Sequence, residues 1–484
     1  MTNAICKLTG QPFEISSLEA AVLKKMGLKD PWYCPKVRRA MGLAFRNERN
    51  FFLRKCDATG ERIISVFSEK KPFPVYKFEY WITDQWEAPQ LDYDFNRPFF
   101  DQFIELSNKT PRPHGFSPYN ENCDYCNAAE KNKNCYLHIL GDRCENCYYT
   151  HGVFGSRDCI DSAYVIDSEL CYESVDCRNC YHCRMALLCD NSSDLDFCFD
   201  MRGCRNCFMS FGLQNQQYCI QNKPVSKEEY EKKIGEINFE SPEVFQLLKE
   251  KFIKEVVQGK PYVRMINTEN SDGNFLINTK NCHHCYDVEN AEDCEYYVIG
   301  SNGCKDVVHS HAIVDGSQLI YGNVSTTESF NCHNVIGCWT TRDSAYGNFL
   351  QGCQECIGCI SLRHKKFCVL NKQYSEQEYQ KIKAHIMNEL GEYWGNPFPF
   401  KCAPLDYMES AFRDYDTFTK EEVKKVGWQW GEEKESAPAE GKPFRVIEQE
   451  AALLKKIGAP LPTIHPEIRF RNRVQFRKAP HASV

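Results

Sequence analysis

Fifteen cysteines lie between residues 123 and 219, and every gap between them is a multiple of three. Ten more occupy residues 282–368, where Cys332, Cys338, Cys353, Cys356, Cys359 and Cys368 keep one phase. Thiols in such numbers could ligate soft metals, carry an iron–sulfur cluster or pack as small apolar groups. The triplets Cys177-x-x-Cys180-x-x-Cys183 and Cys353-x-x-Cys356-x-x-Cys359 open like a cluster motif, but no correctly placed fourth cysteine followed by proline completes either. Three further cysteines, Cys6, Cys34 and Cys56, stand near the N-terminus, two of them in C-x-x-T-G turns that resemble a zinc-ribbon knuckle with Thr in place of the second ligand. The other chemistry is cationic. Arg38, Arg39, Arg46, Arg49 and Arg54 near one end, and Arg469, Arg471 and Arg473 near the other, are interleaved with Phe45, Phe51, Phe52, Phe470 and Phe476. Guanidinium groups that neutralise phosphates beside rings that stack on bases make RNA the candidate ligand for both ends, and salt bridges to the acidic middle of the chain are the alternative for each of these arginines. The middle is the reverse: residues 120–200 hold fifteen acids and six bases, in a chain whose net charge is −7. The whole surface therefore does not coat nucleic acid.

Elements must position these groups, and the spacing in threes restricts them. Nine residues at about 100° each would carry a helical side chain to the opposite face. A flat strand alternates with period two, so odd and even gaps would face opposite ways. A coil of short strands that resets at corners accommodates threes, and the expected fold is mainly β: two tandem cysteine-laddered parallel β-solenoids (β-helices) with thiols inside. Recurring steps of 18, 21 or 24 residues predict the length of a turn. Asn134, Asn146, Asn179 and Asn206, each just before a cysteine, predict left-handed corners. The two arrays are copies: GCRNCFMSFGLQNQQYCIQNKPVSKEEY (203–230) falls on GCQECIGCISLRHKKFCVLNKQYSEQEY (352–379) at an offset of 149. Each copy ends in a capping box, Ser226-x-x-Glu229 or Ser375-x-x-Glu378, which predicts a helix closing the sheet edge.

The ends of the chain are also related. GQPFEISSLEAAVLKKMG (10–27) resembles GKPFRVIEQEAALLKKIG (441–458), and each runs on to a proline turn and a basic segment, Cys34-Pro35-x-x-Arg38 or His465-Pro466-x-x-Arg469. With the segments FRNERNFFLRKCDATGERIISVF (45–67) and PVYKFEYWITDQW (74–86) and the N-K-x-x-S-x-x-E-Y module ends, the chain resembles a cysteine-rich repeat family of small-genome bacteria with degenerate zinc-ribbon-like ends. That resemblance implies Cys where this chain has Thr9 and Val37, and brings no activity with it. One zinc held by Cys6, Cys34 and Cys56 with another donor, or a ribbon that keeps its shape without metal, are both open on these residues.

The expected modules are a ribbon-like unit over 1–67, an aromatic connecting layer over 68–118, solenoids over 119–225 and 265–374, a helical cap and linker over 226–264, a second cap with an aromatic connector over 375–431, a linker over 432–440, and a C-terminal unit over 441–484. No signal peptide or membrane span is evident, which predicts a cytoplasmic protein. The expected role is non-catalytic: a scaffold attached to RNA or a ribonucleoprotein such as the ribosome through its basic ends, with a solenoid face free for a protein partner. The alternatives are a carbohydrate-active β-helix enzyme using Asp190, Asp194, Asp196 and Asp200, and an intracellular metal–thiolate protein.

Overall fold

A computed structural model describes residues 2–295, 298–301, 311–314, 318–322, 324–432 and 443–477, so Cys304 and His309 lie outside the described residues. The chain forms two compact units. One joins Met1–His114 to Val263–Glu432; the other comprises Gly115–Tyr262 and the described C-terminal residues 443–477. The modules expected in linear order are thus packed differently, the N-terminal one with the second cysteine array and the C-terminal one with the first.

In the unit built on the first array, every third residue from Tyr119 to Gln221 has a positive φ, between 48° and 68°. Asn134, Asn146, Asn179 and Asn206 are among them, as expected, but so are Tyr, Leu and Phe. Such a conformation costs a non-glycine residue about 1–2 kcal/mol, and the triplet offsets it with hydrogen bonds. The residue before the left-handed one donates its N–H eleven residues forward (Lys133 to the Cys144 carbonyl, 2.8 Å). The left-handed residue donates thirteen residues back (Asn134 to the Glu121 carbonyl, 2.9 Å). The result is parallel pairing at a constant offset of twelve, as in Tyr181↔Ser193 and Arg205↔Gln217. The expected repeat length of 18 to 24 residues is therefore corrected to twelve, or four triplets. The longer spacings join cysteines standing in different positions of the twelve, such as Cys159 and Cys180.

The third residue of each triplet points inward. Its requirements are visible where serine replaces cysteine: Ser162 donates to the carbonyls of Ile160 (3.1 Å) and Cys171 (3.3 Å), and Cys180 does the same to Arg178 and Cys189 (both 3.4 Å). A small group with one donor, able to reach two residues back and nine ahead, fits there. Thiols add low polarity and are at home in a dry interior. On the outside, amides stack along the same twelve-residue step. Asn122 donates to Asn134 (2.8 Å), Asn134 to Asn146 (3.2 Å) and Asn146 to Asp158 (2.8 Å).

The unit built on the second array repeats this plan in a twelve-stranded sheet running from Met265–Glu269 to Lys372–Gln373. Its register is twelve in Gly273↔Cys285 but thirteen in Val298↔His311 and again in His311↔Val324. Those two added residues move the inward phase, which is why Cys332 and its successors are out of step with Cys282, Cys285 and Cys294. Both arrays end in a short antiparallel turn followed, as expected, by a capped helix: Lys227–Gly235 after Ser226, and Glu376–Leu390 after Ser375. The aromatic stretches form a core beside the second array, where Phe99, Phe103, Tyr346 and Phe398 are fully buried. Among the described residues no helix is long and apolar enough to cross a membrane.

Candidate functional site

The basic terminal segments fold into a helix pair in each unit, and the pairs are built alike. In the first, Ser17–Lys25 is capped by the Ser16 hydroxyl, and Pro35–Leu43 begins at its proline. Glu19 on one helix and Arg38 on the other meet in a buried ion pair, and Arg38 also donates to the Tyr321 hydroxyl of the array at 2.9 Å. In the second, Glu448–Ile457 carries Glu450 and Pro466–Val474 carries Arg469, which donates to Glu450 at 3.0 Å. The separation of 19 residues is the same. Here the array answers with charge. Asp161 contacts Arg469 and accepts from Arg473 at 2.6 Å, Asp176 accepts from Arg477 at 3.1 Å, and Asp158 from Lys456 at 2.6 Å. Arg469, Arg473, Glu450 and Asp161 are all buried. Two cations thus face two anions in a dry place, the condition under which such a cluster is tolerated.

The arginines considered for phosphates have the following partners in the structure. Arg38, Arg469 and Arg473 face carboxylates and polar groups of their own unit. Arg54 is buried between Asp57 (2.7 Å) and the Ser68 carbonyl (2.9 Å), and Arg46 lies 2.5 Å from Glu48. Arg39 and Arg49 are half-buried. Arg471, paired with Glu467 at 3.7 Å, keeps about half of its side chain in solvent. The sequence holds one signal of this: each basic segment is matched, nineteen residues earlier, by a glutamate in a related helix.

Of the three cysteines expected to bind zinc, Cys6 and Cys34 are brought together and Cys56 is not. Cys6 and Cys34 share a hydrogen bond in the first knuckle; the bond from Cys34, with help from Thr9, draws the Cys6 thiol well below its usual range while raising that of Cys34. Cys56 occupies a separate hairpin, Phe52–Lys55 with Arg62–Ser65, where its sulfur accepts from the backbone N–H groups of Lys77 (3.3 Å) and Thr59 (3.4 Å). Two thiols, Thr9 and the apolar Val37 do not supply the four nitrogen or sulfur donors of a structural zinc site. Among the described residues no group of three or more His, Cys, Asp or Glu side chains could hold a metal ion.

Three of the four aspartates considered for a carbohydrate site are paired. Asp196 is buried and takes a two-pronged contact from Arg184 (2.6 and 2.9 Å), Asp194 lies 3.0 Å from His182, and Asp200 lies 3.7 Å from Arg202. His283 and His284 both turn to Asp272.

No family profile and no curated protein sequence matches the chain. Among solved structures, a chain from Desulfovibrio desulfuricans G20 provisionally assigned as an acetyltransferase aligns with 50% of this chain and 63% of its own length, at 9% identity and a TM-score of 0.10. At that score the likeness carries no argument.

Proposed function

We propose that the chain is a non-catalytic binding scaffold made of two cysteine-laddered parallel β-solenoids, each four-sided with three residues to a side and each clasping one terminal helix pair. The observation that carries this reading is the twelve-residue parallel register, kept through the first array and lengthened to thirteen at two steps of the second, with left-handed residues recurring at every third position; it fills the interior mainly with small side chains and leaves the outer walls for recognition. The ion-paired state of Asp194, Asp196 and Asp200 weighs against a carbohydrate enzyme, which needs two carboxyl groups free to act across a sugar bond. Insertion tests the architecture: duplicating residues 159–170 adds one twelve-residue step and should leave a single cooperative melt, whereas inserting only nine residues should abolish it. Equal tolerance of both insertions would refute the four-sided reading. Attachment to RNA or a ribonucleoprotein, the expected partner, would rest on cations that remain exposed, such as Lys24, Lys29, Lys55, Arg62 and Arg471. Replacing Lys55, Arg62 and Arg471 with Glu should then remove salt-dependent retention on RNA; unchanged retention would rule out the ends as the attachment.

A further inference from the structure

The first array contains more thiol than packing requires, since Ser156, Ser162, Ser168 and Ser174 fill inward positions with the same bonds to the carbonyl two residues back. Yet one inward position is cysteine six times in succession: Cys123, Cys135, Cys147, Cys159, Cys171 and Cys183, each twelve residues after the last. The thiols of this column donate to the carbonyl two residues back, Cys123 to Glu121 and Cys135 to Lys133 (both 3.3 Å), Cys147 to Glu145 (3.6 Å) and Cys159 to Arg157 (3.4 Å). The backbone N–H of Cys135 also points at the Cys123 sulfur from 3.3 Å. Paired parallel strands lie about 4.7–4.9 Å apart. Two metal–thiolate bonds of about 2.3 Å placed end to end span about 4.6 Å, so the step of the column suits a cation held linearly by two sulfurs. That demand differs from zinc's, and it is met without any group of three donors.

Two observations place the binding end. Cys123 and Cys126 are only partly buried, whereas the thiols beyond them in the column are buried, so the column opens to solvent at Cys123. At the next inward position after Cys135, His138 is fully buried, its Nδ1 lies 2.6 Å from the Thr150 hydroxyl, and its Nε2 has no hydrogen-bond partner. Gly141 packs against this ring: a Cβ there would lie 2.0 Å from the Val153 carbonyl oxygen and 2.6 Å from Nε2. A buried imidazole nitrogen left without a partner beside thiols is a proton acceptor in waiting.

We propose that the open end of this column, from Cys123 to Cys147, binds a soft monovalent cation with a filled d shell, copper(I) above all, between the sulfurs of two successive strands. Thiolates select such ions, and binding displaces protons. Two thiols lose one proton each; one goes to His138 Nε2 and the other to solvent. The dithiolate and its cation carry a single negative charge, which the new imidazolium balances.

The test uses the full chain, reduced and without oxygen, against copper(I) held by a chromophoric chelator. The wild type should withdraw at least one equivalent and develop sulfur-to-copper charge-transfer absorption. Replacing Cys123, Cys135 and Cys147 with Ser should weaken uptake at least tenfold while leaving the melt in place, because serine makes the same inward bonds. The same exchange at Cys207 and Cys219 should leave uptake unchanged. If the triple variant fails to fold, silver(I) added to the wild type should protect Cys123 and Cys135 from alkylation. No withdrawal by the wild type, equal withdrawal by the folded triple variant, or no protection would overturn the assignment. None of these outcomes depends on whether the chain is a scaffold, which the insertion experiment decides separately.

Discussion

The two terminal helix pairs use the same glutamate and arginine to hold themselves together but different means to hold their arrays. Around Arg38 the array offers a neutral hydroxyl, Tyr321, and comes so close that a Cβ on Gly42 would lie 2.5 Å from a Val324 methyl. At the position matching Gly42 the other pair has Arg473, and the array there offers the carboxylate of Asp161 at 2.6 Å. One docking is short and largely apolar; the other is longer and ionic. A buried ion pair gives little net stability but makes removal of either partner expensive, whereas an apolar contact loses only what is deleted. The two dockings should therefore respond unequally to comparable lesions.

The largest effect is expected at Asp161. Replacing it with Ala takes the Asp161 carboxylate away from both Arg473, which keeps the Tyr149 carbonyl at 3.0 Å, and Arg469, which keeps Glu450. Loss of about 3–5 kcal/mol is expected, read as faster hydrogen exchange across 443–477 with the array itself still protected. Unchanged protection of the C-terminal helices would show that the ionic contacts do not hold them. The corresponding lesion in the other unit, Tyr321→Phe, deletes one hydrogen bond to a guanidinium that keeps Glu19, and should cost about 1.5–3 kcal/mol. If the tyrosine change costs more than the aspartate change, the contrast between apolar and ionic docking is wrong.

Much of this arrangement is legible in the amino-acid sequence. The phase of three identifies inward positions and excludes helix and flat strand, and the asparagines before cysteines mark left-handed corners. The length of the repeat is misread when cysteines are followed regardless of which inward position they occupy; the series Asn122, Asn134, Asn146 and Asp158, or Cys123 to Cys183, gives twelve directly. The arginines are harder. Asp161 lies 308 residues before Arg469 in sequence, and nothing local distinguishes a guanidinium awaiting a phosphate from one that will meet a carboxylate of its own chain. His138 is hidden for a related reason: its inward phase follows from the spacing, but the empty side of its ring is a property of packing.

The smallest effect should separate the units by sign. Burial raises the titration of both Glu295 in the first unit and Glu450 in the second. Each therefore contributes stability that is full below the ordinary glutamate value of about 4.3 and is lost as pH rises through its raised folded value. The surroundings differ. Glu295 is in contact with the Ser16 hydroxyl; Glu19 adds to its upward displacement, while His283 and Arg38 oppose it only from a distance. Glu450 touches Arg469 directly and shares the site with Asp161. Glu295→Gln should accordingly stabilise the first unit slightly at neutral pH and flatten its pH dependence, because it removes a charge that burial penalises and leaves no cation unpaired. Glu450→Gln should destabilise the second unit at the same pH, because it takes one of the two carboxylates away from a buried cluster that holds Arg469 and Arg473. Melts of both variants at pH 5 and pH 7.5 decide the matter. Shifts of the same sign would mean that desolvation alone governs both carboxyls and that the ionic character of the second docking has no energetic consequence.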